Sequence, residues 1–214
     1  MTSLSLSADE VLTTTRSVRK RLDLTRPVPL ELIKECLEIA LQAPSGSNRQ
    51  GWHWMVVTDA DKRAAIADYY RRSWSEYSSA GTSAAQYADD PERAAIQNRV
   101  TDSAVYLAEH LHEVPVMLIA CIDAEGRMGP GSQASLWGSV LPAAWSFMMA
   151  ARSRGLGSAW TTLHLRYETE IAQLLGMPEN VRQGVLLPTA YSLGTDFRTA
   201  RRQPLDQVLH VNGW

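Results

Sequence analysis

Cysteine is nearly absent from this 214-residue chain, which has only Cys36 and Cys121. They stand far apart, in no C-x-x-C or metal-type spacing. This excludes a disulfide framework or a cysteine metal site and predicts two buried, reduced thiols. An excess of charge is missing too. Lys and Arg number 21 against 23 Asp and Glu, a formal net charge of −2, so no global attraction to nucleic acid is expected. No segment qualifies as a membrane span. Residues 133–151 carry no charge, but Gln133, Ser135, Gly138, Ser139, Pro142 and Ser146 dilute their apolar content, which predicts a buried helix instead. The stretch Met1–Leu6 has neither the basic start nor the apolar core of a secretory signal, so a cytoplasmic chain is expected.

Several site motifs are also missing. No G-x-G-x-x-G follows a strand, no G-x-x-x-x-G-K-[ST] occurs and no G-x-S-x-G elbow is present. A Rossmann dinucleotide site, a P-loop and an α/β-hydrolase are therefore disfavoured. His53, His110, His112, His164 and His210 have no metal spacing and read as structural or exposed.

With 45% hydrophobic and 21% charged residues, the chain is expected to form a single soluble domain over 1–214. Ser7-Ala8-Asp9-Glu10 has the form of a capping box and predicts a helix running towards Arg16. Leu30, Ile33, Leu37 and Leu41 recur at helical spacing, and Pro44 is expected to end that helix. Strands are predicted at 52–58, 114–122, 158–162 and 184–192. Further helices are expected from Asp59 or Asp61, at 92–112, at 133–153 and at 167–175, with an excursion over 78–91. Arg63 is expected on an exposed helix face, where it would contribute little. Helices dominate, so the fold class is α+β, a mixed sheet flanked by helices. The tail, 195–214, reads as an extended C-terminal arm packing on a partner subunit.

Three clusters are candidates for chemistry. Arg16, Arg19 and Arg202 each offer a forked guanidinium suited to phosphate, with Ser17 as a further donor; solvated helix ends would have the same residues. Ser45, Gly46, Ser47 and Asn48 make a loop of donors at a helix-to-strand junction, a pattern shared with ordinary turns. Trp160-Thr161-Thr162 ends a predicted strand with two hydroxyls. Trp52, Trp74, Tyr77 and Trp137 are candidates to wall a stacking slot.

In their order along the chain, these pieces resemble the nitroreductase family of FMN-dependent oxidoreductases. Arg16-Ser17-Val18-Arg19 resembles its N-terminal phosphate and ribityl motif. Ala43-Pro44-Ser45-Gly46-Ser47-Asn48-Arg49-Gln50 resembles its second flavin motif. Arg152 to Trp160 resembles its G-L-G strand entry, and Arg201-Arg202 its C-terminal basic pair. The start around Thr13–Arg21 and the Asn-Gly-Trp ending are similar to a mycobacterial nitroreductase-like subgroup. Thr15 stands where many members carry a first arginine.

The resemblance implies an intertwined homodimer with non-covalent FMN at the interface and NADPH or NADH as co-substrate. Hydride would pass through flavin N5 to a nitroaromatic, quinone or enone. It implies cofactor contacts from Arg16, Ser17, Arg19, Pro44, Ser45, Gly46, Ser47, Asn48, Gln50, Trp160, Thr161, Thr162, Arg201 and Arg202, with the chemistry carried by the flavin. The alternative is a flavin-sequestering or regulatory binding protein with little turnover. No metal, membrane or nucleic acid is implied.

Overall fold

The computed structural model describes residues 3–79, 84–126, 128–129 and 133–214. Helix α1 (Ala8–Thr14) starts at the capping box: the Glu10 amide donates to Ser7 Oγ at 3.2 Å and the Ser7 amide to Glu10 Oε2 at 2.7 Å. Strand β1 (Leu22–Asp23), helix α2 (Leu30–Ala40), strand β2 (Trp52–Val57) and helix α3 (Ala60–Ser79) follow. Asp59 caps α3 by accepting from the Lys62 amide at 2.9 Å. Helix α4 (Pro91–His110) has Asp90 as its N-cap and Pro91 at its first position, where a missing amide hydrogen costs nothing. Strand β3 (Val116–Asp123), helix α5 (Gln133–Ser153), strand β4 (Leu156–Ser158), helix α6 (Glu168–Leu175) and strand β5 (Val181–Ser192) complete the chain.

The sheet has five strands in the order β1-β5-β3-β2, with β4 pairing β5. Its ladders are antiparallel, and its parallel component is the isolated bridge Ser17–Ser158. Strand β3 is buried from Val116 to Ile122, and its alternating residues feed two cores. Val116, Leu118, Ala120 and Ile122 pack with Ile33 and Cys36 of α2 and with Phe147 of α5. Met117, Ile119 and Cys121 face Ile66 of α3, Leu107 of α4 and Ile171 of α6. A continuous apolar run is what a strand covered on both faces requires, and burying each large side chain stabilises the fold by roughly 1.5–3 kcal/mol.

Both cysteines are buried and unpaired. Burial pushes the Cys36 thiol up to about 11 and the Cys121 thiol to about 12. Among the described residues, no helix is long and apolar enough to cross a membrane.

Some expectations need correction. Helix α2 ends at Ala40, ahead of Pro44. The strand expected at 158–162 is β4, at Leu156–Ser158; beyond it Thr161 keeps only an isolated bridge to Leu186. Much of the expected 78–91 excursion is ordered as the end of α3, a short 3-10 turn at Ala84–Tyr87 and the start of α4, while 80–83 lie outside the described residues. Arg63 is no inert surface cation. Its Nη1 donates to the carbonyls of His112 (2.7 Å) and Val114 (2.8 Å), and its Nε to that of Thr58 (3.2 Å).

Candidate functional site

Thr15 terminates α1, with its hydroxyl donating back to the Val11 carbonyl at 2.7 Å, so position 15 faces its own helix. The chain then runs extended beside β4. The Val18 amide donates to the Ser158 carbonyl at 2.9 Å, and the Trp160 amide to Ser17 Oγ at 3.0 Å. Gly157 permits this approach: a Cβ there would lie 3.0 Å from the Val18 side chain and 2.7 Å from Ser192 Oγ, closer than carbon tolerates. The first and third expected motifs therefore lie side by side.

A cavity of about 280 Å³ opens next to them. Arg19, Trp160, Thr161 and Thr162 contribute one part of its lining. Tyr70, Trp74 and Tyr77 of α3 contribute another, and α4 supplies Gln97, Val100, Thr101 and Ala104. The Tyr70 hydroxyl lies 3.0 Å from Thr161 Oγ1. Arg19 Nη1 donates to Ser103 Oγ at 3.3 Å. Burial lowers the guanidinium's pKa, opposed by the neighbouring Tyr70. Of the four aromatic slot candidates, Trp74 and Tyr77 reach this cavity, whereas Trp52 and Trp137 pack on the α2–α5 core. The Tyr70 and α4 contributions were not anticipated. The signal for α4 was present in the i, i+3, i+4, i+7 spacing of Gln97, Val100, Thr101 and Ala104.

Arg16 Nε is buried without a hydrogen-bond partner. Burial lowers the Arg16 pKa, and repulsion from Arg202 lowers it further. Among the described residues no ion pair neutralises either guanidinium, and Arg202 is exposed, its Nη1 donating to the Arg201 carbonyl at 3.2 Å. Arg201 is committed elsewhere, to Glu92 at the start of α4. Arg201 and Arg202 line a larger hollow of about 690 Å³ together with Arg93 and Asp90.

The second motif lies apart from these. Ser47, Asn48 and Gln50 all have positive φ, at 53°, 52° and 52°. Three non-glycine residues in the left-handed region within four positions is a strained arrangement. Hydrogen bonds hold it: Asn48 N to the Ser45 carbonyl (3.0 Å), Gln50 N to Ser45 Oγ (3.1 Å) and Gln50 Nε2 to Asn48 Oδ1 (3.1 Å). The Gly46 amide anchors the loop on α5 through Ser139 Oγ at 2.9 Å, and a Cβ on Gly46 would lie 2.9 Å from Ser135 Oγ. Pro44 lines a different hollow, between α2 and α5. The structure thus brings Arg16, Ser17, Arg19, Trp160, Thr161 and Thr162 together, with Arg202 lining the larger hollow and linked to Arg16 by charge repulsion, and places Pro44–Gln50 as an exposed loop in another region.

Among the described residues, no cluster of three His, Cys, Asp or Glu is placed to hold a metal. His164 is fully buried with neither ring nitrogen hydrogen-bonded.

Residues 12–191 match the model of the Nitroreductase family, and the chain belongs to that family. It is 27% identical over 185 residues to a putative NADH dehydrogenase/NAD(P)H nitroreductase of Methanothermobacter thermautotrophicus, an alignment spanning 85% of this chain and 75% of the relative. Among solved structures, the fold is similar to an FMN and NADPH-dependent nitroreductase, NfnB, of sphigopyxis sp. strain HMH (TM-score 0.69, 23% identity, 98% of this chain and 100% of that one). It is equally similar to an iodotyrosine deiodinase bound to FMN and 3-iodo-L-tyrosine (TM-score 0.70, 22% identity, 95% and 98% covered).

Proposed function

We propose that this protein is an FMN-dependent NAD(P)H oxidoreductase that works as a cytoplasmic homodimer. The observation that carries the reading is the buried, unpartnered Nε of the half-buried Arg16, whose guanidinium is repelled by Arg202, an arrangement suited to one terminal phosphate. Arg16 and Arg202 would grip that phosphate. Ser17, Arg19, Trp160, Thr161 and Thr162 would hold the ribityl chain and ring. Bound FMN would supply two-electron transfer between NADPH or NADH and a small aromatic or conjugated acceptor.

The chain's own part is to bind, orient and exclude water. The strained Ser47–Gln50 loop is pre-organised and exposed, which suits a loop that completes a partner subunit's site. Leu205, Val208, Leu209, Val211 and Trp214 stand exposed along the tail, an apolar strip fit to cover a second copy.

The test is to purify the protein, record its visible spectrum, identify the released cofactor and mix the holoprotein anaerobically with NADPH. Bound FMN that bleaches on mixing is the expected result. A protein that takes up no FMN overturns the reading, and tightly held flavin that NADPH leaves oxidised favours the flavin-sequestering alternative. Sedimentation at micromolar concentration should give a dimer.

A further inference from the structure

We propose that Arg21 and Arg152 clamp Phe197 and thereby place Arg202 for a phosphate monoester, so that Phe197 and Arg152 are positioning residues that set a preference for FMN over riboflavin. The proposal rests on the flavin reading above and deepens it, by naming residues that are not among the expected cofactor contacts.

The root of the tail is tied down at several points. The Leu193 amide donates to the Arg21 carbonyl at 2.8 Å, and the Leu193 carbonyl accepts from Arg21 Nε at 2.8 Å. Arg21 Nη2 pairs with Asp196 Oδ1 at 2.6 Å, and Arg152 Nη2 donates to the Thr195 carbonyl at 2.9 Å. Gly194 turns the chain among these contacts with a φ of 78°. A Cβ there would lie 2.6 Å from Arg21 Nη2, so glycine is what admits the guanidinium. Phe197 closes the arrangement. Both guanidiniums face its ring, Arg21 at 4.3 Å and Arg152 at 4.9 Å from the centroid, and the ring packs on the α3–α4–α6 core. From Arg201 to Trp214, by contrast, every residue is exposed.

Burying Arg152 is unfavourable in itself. It is 5% exposed, its Nε is buried without a hydrogen-bond partner, and no ion pair among the described residues neutralises it. Burial lowers its pKa, repulsion from Arg21 and Arg16 lowers it further, and Glu10 acts the other way. A neutral side chain of similar size would avoid that penalty. It could not, however, both donate to the Thr195 carbonyl and lay a cation over the Phe197 ring.

Arg202 needs such an anchor because Arg16 repels it. It stands five residues beyond Phe197, a reach of at most about 17 Å, and its neighbour Arg201 pairs with Glu92. With Phe197 released, the tail would sample a larger volume, and the effective concentration of Arg202 at the phosphate would fall. Affinity that depends on the phosphate would fall with it. Contacts to the ring and ribityl chain, which the reading above gives to Ser17 and Trp160–Thr162, would remain.

The test measures the dissociation constants of FMN and riboflavin by flavin fluorescence, for the natural protein and for Phe197→Leu, Phe197→Tyr, Arg152→Met and Met177→Ala. The natural protein should prefer FMN. Phe197→Leu and Arg152→Met should reduce that preference about ten-fold by weakening FMN, with riboflavin changed by no more than about two-fold. Phe197→Tyr keeps the aromatic face and should keep the preference. Met177→Ala, in the same core but outside the clamp, should leave the ratio of the two constants unchanged. Equal affinity of the natural protein for the two flavins overturns the proposal, as does an unchanged ratio in Phe197→Leu. Should Phe197→Leu not fold, Arg152→Met is judged by the same criterion. A natural protein that takes up neither flavin signals failure of the flavin reading itself. Tryptic cleavage after Arg198, Arg201 and Arg202 then decides: inorganic phosphate should slow it in the natural protein and not in Phe197→Leu. No protection of the natural protein, or equal protection of both, overturns the proposal.

Discussion

Ser17 Oγ accepts the amide proton of Trp160 at 3.0 Å, across 143 residues of sequence. This one bond fixes the arginine segment against the exit of β4 and thereby sets where Arg16 and Arg19 point. Ser17→Ala should cost about 1 kcal/mol, because it leaves a half-buried amide without its acceptor. Urea unfolding measures the cost, and hydrogen exchange at the Trp160 amide reports the bond itself. Unchanged exchange in the variant would show that the contact is not made in solution.

Arg16→Ala and Arg202→Ala should each weaken FMN binding by roughly 1.5–3 kcal/mol, the value of a charge-assisted contact. Arg201→Ala should have a smaller effect, since its guanidinium already pairs with Glu92. Fluorescence titration of the apoprotein at limiting flavin distinguishes the three variants. Full occupancy in both Arg16→Ala and Arg202→Ala would mean that the phosphate lies elsewhere.

Arg63→Ala should destabilise the fold by about 1–3 kcal/mol with no effect on cofactor. Its three acceptor carbonyls, on Thr58, His112 and Val114, tie the start of α3 to the entry of β3. Chemical denaturation with and without FMN separates this structural role from any role in binding.

Stability should fall on acidification through His164. Burial pushes its pKa down to about 3, although the Glu168 carboxylate acts the other way. The unfolded chain binds a proton near the ordinary value of about 6.5, while the folded chain does not. Stability contributed by the neutral ring is therefore full above pH 6.5 and lost progressively as pH falls towards 3, by up to about 1.4 kcal/mol per pH unit. Melting temperatures of the natural protein and of His164→Gln between pH 7 and pH 4.5 test this. A slope that the substitution leaves unchanged would assign the acid sensitivity to other groups.

Much of the fold was legible because its signals are local. The Ser7–Glu10 capping box, the apolar run of β3 and the helical spacing of α2 each act within a dozen residues. Features set by distant partners were not legible. Strand β1 exists only because Leu22 and Asp23 find Ser192 and Tyr191 on β5. Arg63 reads as a surface cation until the His112 and Val114 carbonyls are folded over it. Trp160-Thr161-Thr162 has the composition of a strand, yet its side chains line a cavity where a ladder was expected. Within the proposed site, Arg16, Ser17, Arg19 and Arg202 are singled out by motif and order alone. Tyr70 was hidden by helical spacing that also describes a core residue.

The unneutralised pair Arg16 and Arg202 ties the life of the chain to what fills it. The empty protein carries the repulsion between Arg16 and Arg202, and a phosphate-bearing occupant of the proposed site would relieve it while leaving the unfolded chain unaffected. Occupancy then acts as protection from proteolysis. On the proposed reading, molecules left empty by a shortage of cofactor would open more often and be degraded sooner, and the amount of protein would follow the supply of its ligand.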